Sequence, residues 1–282
     1  MKRIQWFPGH MTKAMRMMED TVSLADGIIY VLDARCPAAS FNPKLLKMAG
    51  NKPVLFVLNK GDLADERADN LLKMMGGNAV KINAANSNSK RDISAAIQKL
   101  VEKKRESALA KGYNKIFRFM VVGVPNTGKS TVINLLAGSK RAVTGDKAGV
   151  TRGKQWIRLD GFELLDTPGT MPPAFENQKL ALHLAFVGSI NDDILDLDDI
   201  ALELLGELYE KYPKRLEERY GITGGSKLEM LDCVCKKRGF VLRGGEYDYE
   251  RAERAVIDDF RKGRLGRITL DSPEDMAGLF NG

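Results

Sequence analysis

The residues with the clearest chemical potential stand in one run, Gly123-Val124-Pro125-Asn126-Thr127-Gly128-Lys129-Ser130. It follows the apolar stretch 116–122 and leads into Thr131-Val132-Ile133-Asn134-Leu135-Leu136, which reads as a helix. Strand, G-x-x-x-x-G-K-S, helix is the pattern of a phosphate-binding P-loop. Glycines let the backbone wrap closely around an anion, so that N–H groups and the positive end of the following helix face it. Lys129 adds a point charge for β- and γ-phosphates, and the Ser130 hydroxyl is placed to hold Mg²⁺. Asn126, Thr127, Gly128 and Thr131 complete the expected cradle. Together these residues predict binding of a nucleoside triphosphate.

A second run reads the base. Asn59-Lys60-Gly61-Asp62 closes the apolar stretch 54–58, which reads as a strand. A carboxylate at Asp62 can accept from the ring N1–H and the exocyclic amino group of guanine. Adenine offers neither in that arrangement, and a buried carboxylate left unpaired is penalised heavily. Asn59 and the stem of Lys60 would brace the base and the P-loop. Alone, N-K-x-D is a common surface tetrapeptide; with a P-loop in the same chain it points to GTP. The short strand 79–82 ends in Asn83-Ala84-Ala85-Asn86, where a guanine site usually has a Ser-Ala-Lys-like turn. Ala84 and Ala85 stand there instead, with the Ala85 N–H expected at guanine O6. A third run, Asp166-Thr167-Pro168-Gly169, closes a hairpin formed by 155–159 and 162–165. As D-x-x-G it predicts Asp166 reaching Mg²⁺ through water and the Gly169 N–H meeting the γ-phosphate. Thr151, in the basic loop after the P-loop helix, occupies the place of the Mg²⁺- and γ-phosphate-sensing threonine; it carries weight only beside these motifs.

The elements that must position these groups follow from hydrophobic period. Apolar runs at 27–33 and 54–58 read as buried parallel strands. A helix is expected from about Thr12, as N-cap, to Leu24, with Met15, Met18, Val22 and Ala25 inward. Further helices are expected near Leu45, over 67–75 and over 92–110. The last presents Ile93, Ile97, Leu100 and Val101 inward and a basic outer face, read as solvated in preference to a nucleic-acid contact. Beyond 179 the pattern changes to helices at 180–186, 199–209, 228–235 and 249–262. The expected organisation is an arm at 1–13, an α/β domain with a mostly parallel sheet at 14–173, and a small all-α domain at 179–282.

Composition bounds the setting. With 282 residues, 44% hydrophobic and 29% charged, the chain can bury one good core and a smaller second domain. No apolar run reaches membrane-spanning length, and the first residues lack the apolar stretch of a secretory signal. Cys36, Cys233 and Cys235 form neither a disulfide framework nor zinc-ligand spacing, so a reduced cytoplasmic setting is expected. His183 reads as a packing residue of the helical part. A net charge of +7 and a pI of 9.2 admit two readings, an anionic macromolecular partner or a merely basic protein.

The order of the runs is unusual. In most GTPases the P-loop comes first, D-x-x-G next and N-K-x-D after it. Here N-K-G-D precedes the P-loop and D-T-P-G comes last, so the fold is a P-loop GTPase with circularly permuted motif order. The break falls just past Gly169, which ties the N-terminal arm and everything beyond about Pro173 to the segment that senses the γ-phosphate.

With these motifs the chain resembles the ribosome biogenesis GTPase A family, permuted GTPases of large-subunit assembly. The likeness is carried by Gln5-Trp6-Phe7-Pro8-Gly9-His10-Met11, Asp33-Ala34-Arg35, the three runs above, Tyr212-Pro213, Tyr220-Gly221, Lys237-Arg238-Gly239 and Gly263-Arg264-Leu265-Gly266-Arg267. It spans nearly the whole chain. Ala148, where the family more often has proline, and the alanine pair at 84–85 depart from it. The resemblance implies a cytoplasmic, monomeric GTP-hydrolysing factor that uses Mg²⁺ and binds the large ribosomal subunit and its RNA. Lys236, Lys237, Arg238, Arg243, Arg261, Lys262, Arg264 and Arg267 of the helical part are interleaved with acids and by themselves read equally as a solvated surface; the resemblance implies that they contact ribosomal RNA. Thr170 and Met171 stand where Ras-like enzymes carry a water-orienting glutamine, and neither suits that task. The resemblance implies that His10 positions the water instead; the alternative is a turn histidine that caps or packs. Asn126 resembles the asparagine that some GTPases use to hold K⁺. Two rival readings stand beside this one: an RNA-binding structural factor for which GTP only stabilises the fold, and a GTPase acting in tRNA modification.

Overall fold

The computed structural model describes residues 3–5, 9–139, 156–172, 175–277 and 279. The readings made for Trp6, Phe7, Pro8, Ala148 and Thr151 lie outside them. Strands β1 (Gly27–Asp33), β2 (Val54–Asn59), β3 (Ala79–Lys81), β4 (Phe117–Val122), β5 (Trp156–Arg158) and β6 (Phe162–Asp166) form one sheet in the order β3-β2-β1-β4-β6-β5. Neighbours are parallel except β5 with β6. This is the mostly parallel P-loop GTPase sheet that the motifs predicted.

β1 reads as a continuous apolar run because all seven of its residues are buried, as a central parallel strand covered on both faces requires. Helices α1 (Gly9–Val22), α2 (Pro43–Ala49), α3 (Arg67–Met74), α4 (Ser89–Ala110) and α5 (Lys129–Ala137) belong to the same unit. Ile29, Val31, Leu55 and Val57 form a core with Ile93, Ile97 and Val101 of α4 and Val132, Ile133 and Leu136 of α5. The alternate β1 residue Tyr30 stacks on Phe41 at a centroid distance of 5.4 Å. Its buried hydroxyl is satisfied by the Asn42 backbone, accepting from N–H and donating to C=O.

α1 differs from expectation. It begins at Gly9, so Thr12 lies inside the helix, and its buried face is Met11, Ala14, Met18 and Thr21. Met15 and Val22 are half-buried at the edge of that face. Two overlapping apolar stripes at helical spacing exist in this sequence, and only packing selects between them.

The chain divides into two compact units, one of Gln5–Glu176 with Thr269–Gly282 and one of Met1–Ile4 with Asn177–Ile268. The second unit contains α6 (Gln178–Phe186), α7 (Leu197–Lys211), α8 (Pro213–Tyr220), α9 (Lys227–Arg238) and α10 (Tyr249–Arg261). α9 starts in a capping box between Ser226 and Glu229 and stops at Gly239, in the left-handed conformation. Buried His183 lies 2.8 Å from Glu207, which Lys211 also engages. α11 (Pro273–Ala277) groups with the sheet unit.

One buried acid gives the helical unit a pH dependence. Burial, then a hydrogen bond to Asp198 and the charges of Asp198, Glu250 and Asp196, push the Glu253 carboxyl up to about 8. In the unfolded chain it titrates near ordinary carboxylate values, about 4.3. Between those values the folded form holds a proton that the unfolded form has lost, so stability falls as pH rises through that window. Thermal unfolding of the wild type should therefore drop by about a few degrees from pH 5.5 to pH 8, and Glu253→Gln should remove that drop. An unchanged slope in the variant would exclude Glu253 as its source.

Candidate functional site

The carboxyl ends of β1, β2, β4 and β6 lie side by side, which is where a doubly wound sheet presents its ligand loops. β4 runs directly into the loop of Gly123 to Gly128, and α5 begins at Lys129. Asn126 has φ 61° and Gly128 φ 90°, two left-handed residues that fold the loop back on itself. Lys129 is buried, and its Nζ donates to the Val124 carbonyl at 2.9 Å. Burial pushes its ammonium down to about 8 against the pull of Asp166, with Lys60 adding to the depression. A cation held this way is poised to be stabilised by an incoming polyphosphate.

N-K-G-D is bolted to this loop although 68 residues separate the contact points. Buried Asn59 donates from Nδ2 to the Thr127 carbonyl at 2.9 Å and accepts at Oδ1 from the Ala84 N–H at 2.9 Å. One side chain thus ties the P-loop to the alanine turn. A Cβ on Gly128 would stand 2.3 Å from Asn59 Nδ2, so this approach needs glycine as well as the left-handed backbone. Lys60 Nζ reaches the Asn126 carbonyl at 2.7 Å. Asp62 is exposed, so its mismatch penalty arises only once a base covers it, a difference from the buried carboxylate expected. The Ala85 N–H, expected at guanine O6, is paired with Asn83 Oδ1 at 2.9 Å and must exchange that partner to meet a base.

D-T-P-G closes the phosphate side. Thr167 Oγ1 donates to the Val121 carbonyl, and the Thr170 N–H to the Gly123 carbonyl. A Cβ on Gly169 would lie 2.6 Å from Pro125 Cα, so glycine lets this turn press onto the P-loop. Ser130 Oγ donates to Asp166 Oδ2 at 2.7 Å, bringing together two of the oxygen donors expected at Mg²⁺. A hydroxyl and a carboxylate with no nitrogen or sulfur suit a hard cation that takes its other ligands from phosphate and water. Among the described residues no group of three His, Cys, Asp or Glu could hold a metal alone. The third expected donor, Thr151, lies outside the described residues.

Thr131 follows in the first turn of α5. His10 stands exposed in the first turn of α1; among the described residues no hydrogen bond joins it to the cluster. Thr170 and Met171 are buried, which removes both from the task of orienting a solvent molecule. Asp33 and Arg35 entered the sequence reading only through resemblance, yet Asp33 accepts from Lys60 Nζ at 2.9 Å. The legible signal was an aspartate ending a wholly apolar strand.

A family model described as 50S ribosome-binding GTPase matches residues 118–220. Ribosome biogenesis GTPase A of Bacillus cereus is 42% identical over 280 residues, covering 96% of this chain and 95% of that protein. Ribosome biogenesis GTPase A of Thermotoga maritima is 30% identical over 278 residues, covering 97% and 96%. Among solved structures, GDP-bound TM YlqF aligns with a TM-score of 0.63 at 27% identity, covering 92% of this chain and 100% of that one. GNP-bound YlqF from T. maritima aligns with a TM-score of 0.63 at 28% identity, covering 93% and 99%.

Proposed function

This chain belongs to the ribosome biogenesis GTPase A family and hydrolyses GTP, and from that premise we propose that it is an assembly factor for the large ribosomal subunit, docking on ribosomal RNA in its GTP state and turning over faster when docked. One observation carries the reading. The Asn59 side chain joins the tetrapeptide, the P-loop and the alanine turn into one pocket, from both sides of a permuted chain. In that pocket Asp62 reads guanine, while Lys129 and the loop N–H groups hold the β- and γ-phosphates. Ser130 and Asp166, with Thr151, are the residues that would hold Mg²⁺, which when bound neutralises charge on the phosphates. The Gly169 N–H senses the γ-phosphate, and Asn126 would hold K⁺ where other enzymes place an arginine. With Thr170 and Met171 turned inward, His10 orients the attacking water.

Nucleotide state is read out through the segment after Gly169, which leads covalently into the helical unit. In that unit Arg261, Lys262 and Arg264 are engaged by Asp192, Asp258 and Asp259, so their charge is largely spoken for. Lys236, Lys237 and Arg238 are exposed in the last turn of α9, with exposed Arg243 just beyond, and these are the RNA contacts we favour. A cytoplasmic monomer is part of this proposal; among the described residues no helix is long and apolar enough to cross a membrane.

The test is GTP turnover by the full chain with and without purified 50S particles, in K⁺ and in Na⁺ buffer. We expect slow turnover alone, stimulation of about 10-fold or more by 50S, and a requirement for K⁺. Turnover indifferent to 50S would favour the structural-factor reading, and equal rates in the two buffers would remove the K⁺ site.

A further inference from the structure

Behind the base-reading tetrapeptide lies a buried ion cluster that the nucleotide chemistry does not itself need. Asp33 ends β1, is fully buried, and sits opposite Asn59 in the β1–β2 register. Its Oδ1 accepts from Arg35 N–H at 3.1 Å and Arg35 Nε at 2.9 Å. Its Oδ2 accepts from Arg35 Nη2 at 2.8 Å and from Lys60 Nζ at 2.9 Å. Arg35 is only 2% exposed. One carboxylate thus faces two cations. Burial raises the Asp33 carboxyl, but Arg35 and Lys60 overcome it and hold the group well below the usual carboxylate range. Buried ion clusters add little net stability against apolar replacements; their best-attested use is to fix geometry.

The outside of this cluster is held by the far end of the chain. After α10 the backbone returns to the sheet unit at Thr269. There the Leu270 N–H donates to the Arg35 carbonyl at 2.7 Å, and Asp271 Oδ2 accepts from the Ala39 N–H at 3.0 Å. Leu270 and Asp271 are buried. The end of β1 is therefore held at Asp33 by Lys60, and the loop after it by residues more than two hundred positions later.

We propose that Asp33 and Arg35 are positioning residues for base recognition, and that the returning segment at Leu270 and Asp271 is the strap that keeps them in place. Asp33 fixes Lys60 beside the Asn126 carbonyl, and so steadies the backbone that carries Asp62 two residues further on. The strap makes discrimination between bases depend on a segment emerging from the helical unit. The proposal rests on the reading of Asp62 as the guanine reader.

The test is the ratio of IDP to GDP dissociation constants for the full chain, since hypoxanthine lacks the exocyclic amino group. Asp33→Asn should lower that ratio by about tenfold, and Asp271→Ala by about threefold. Asp271→Asn keeps an acceptor oxygen for the Ala39 N–H and should restore the wild-type ratio. A merely structural role would lower stability, or both affinities together, and leave the ratio alone. Asp62→Ala separates the layers. If it leaves the ratio unchanged, the guanine reading fails and takes this proposal with it. If it collapses the ratio while Asp33→Asn and Asp271→Ala keep the wild-type value, only the positioning proposal is overturned. Should Asp33→Asn fail to fold, Asp271→Ala against Asp271→Asn decides the matter.

Discussion

Asp62→Asn should move the preference of this protein from guanine to xanthine. In the proposed site the carboxylate would accept two hydrogen bonds from the guanine edge; an asparagine amide offers one acceptor and one donor. The donor would meet the guanine amino group, leaving two hydrogens opposed, whereas xanthine presents a carbonyl there. We expect GDP affinity to fall by about 100-fold or more while XDP binds better than it does to the wild type, because a site built for one donor–acceptor pattern discriminates strongly against its inverse. Asp62 is exposed in the free protein, so the substitution should leave folding intact and the effect should appear in binding alone. Competition between GDP and XDP for the variant measures it. An unchanged GDP:XDP ratio would remove Asp62 from base recognition.

His10→Ala should abolish most of the acceleration by 50S particles, lowering the stimulated rate by about tenfold or more toward the unstimulated one, as expected for a group that handles the proton or water in the transition state. GTP affinity should stay within about twofold, since the proposed nucleotide contacts are the P-loop and N-K-G-D. The buried face of α1 is Met11, Ala14, Met18 and Thr21, and His10 is exposed, so its removal costs little packing. A loss of rate would then report chemistry. A variant that keeps both affinity and stimulated turnover would leave His10 as a helix-end residue only.

Much of the fold was readable because the signals are local. Buried parallel strands must be apolar on both faces, so the runs that became β1, β2 and β4 stood out. Hydrophobic period placed α9 at 228–235; the capping box at Ser226 and the glycine at Gly239, which the period does not register, set its limits at Lys227 and Arg238. α8 escaped because only Leu216 and Tyr220 are buried in eight mostly charged residues, too few to set a period. α1 begins and ends earlier than expected, at Gly9 and Val22, because its two candidate apolar stripes differ only in what they pack against.

The candidate site divides along the same line. The kinds of group, their order and the permutation are properties of the string itself, because phosphate, Mg²⁺ and guanine each demand particular residue types at fixed spacing along one loop. What only the folded chain could decide are contacts across sequence distance: Asn59 to Thr127 and Ala84, Lys60 to Asp33, and the Asp271 carboxylate to the Ala39 N–H. The pairing of the Ala85 N–H with Asn83 belongs there too, since a turn's hydrogen bonds depend on its backbone angles. A spacing rule records what one segment can do alone; which segments meet depends on strand order and on burial, and both are consequences of the whole chain minimising its exposed apolar surface.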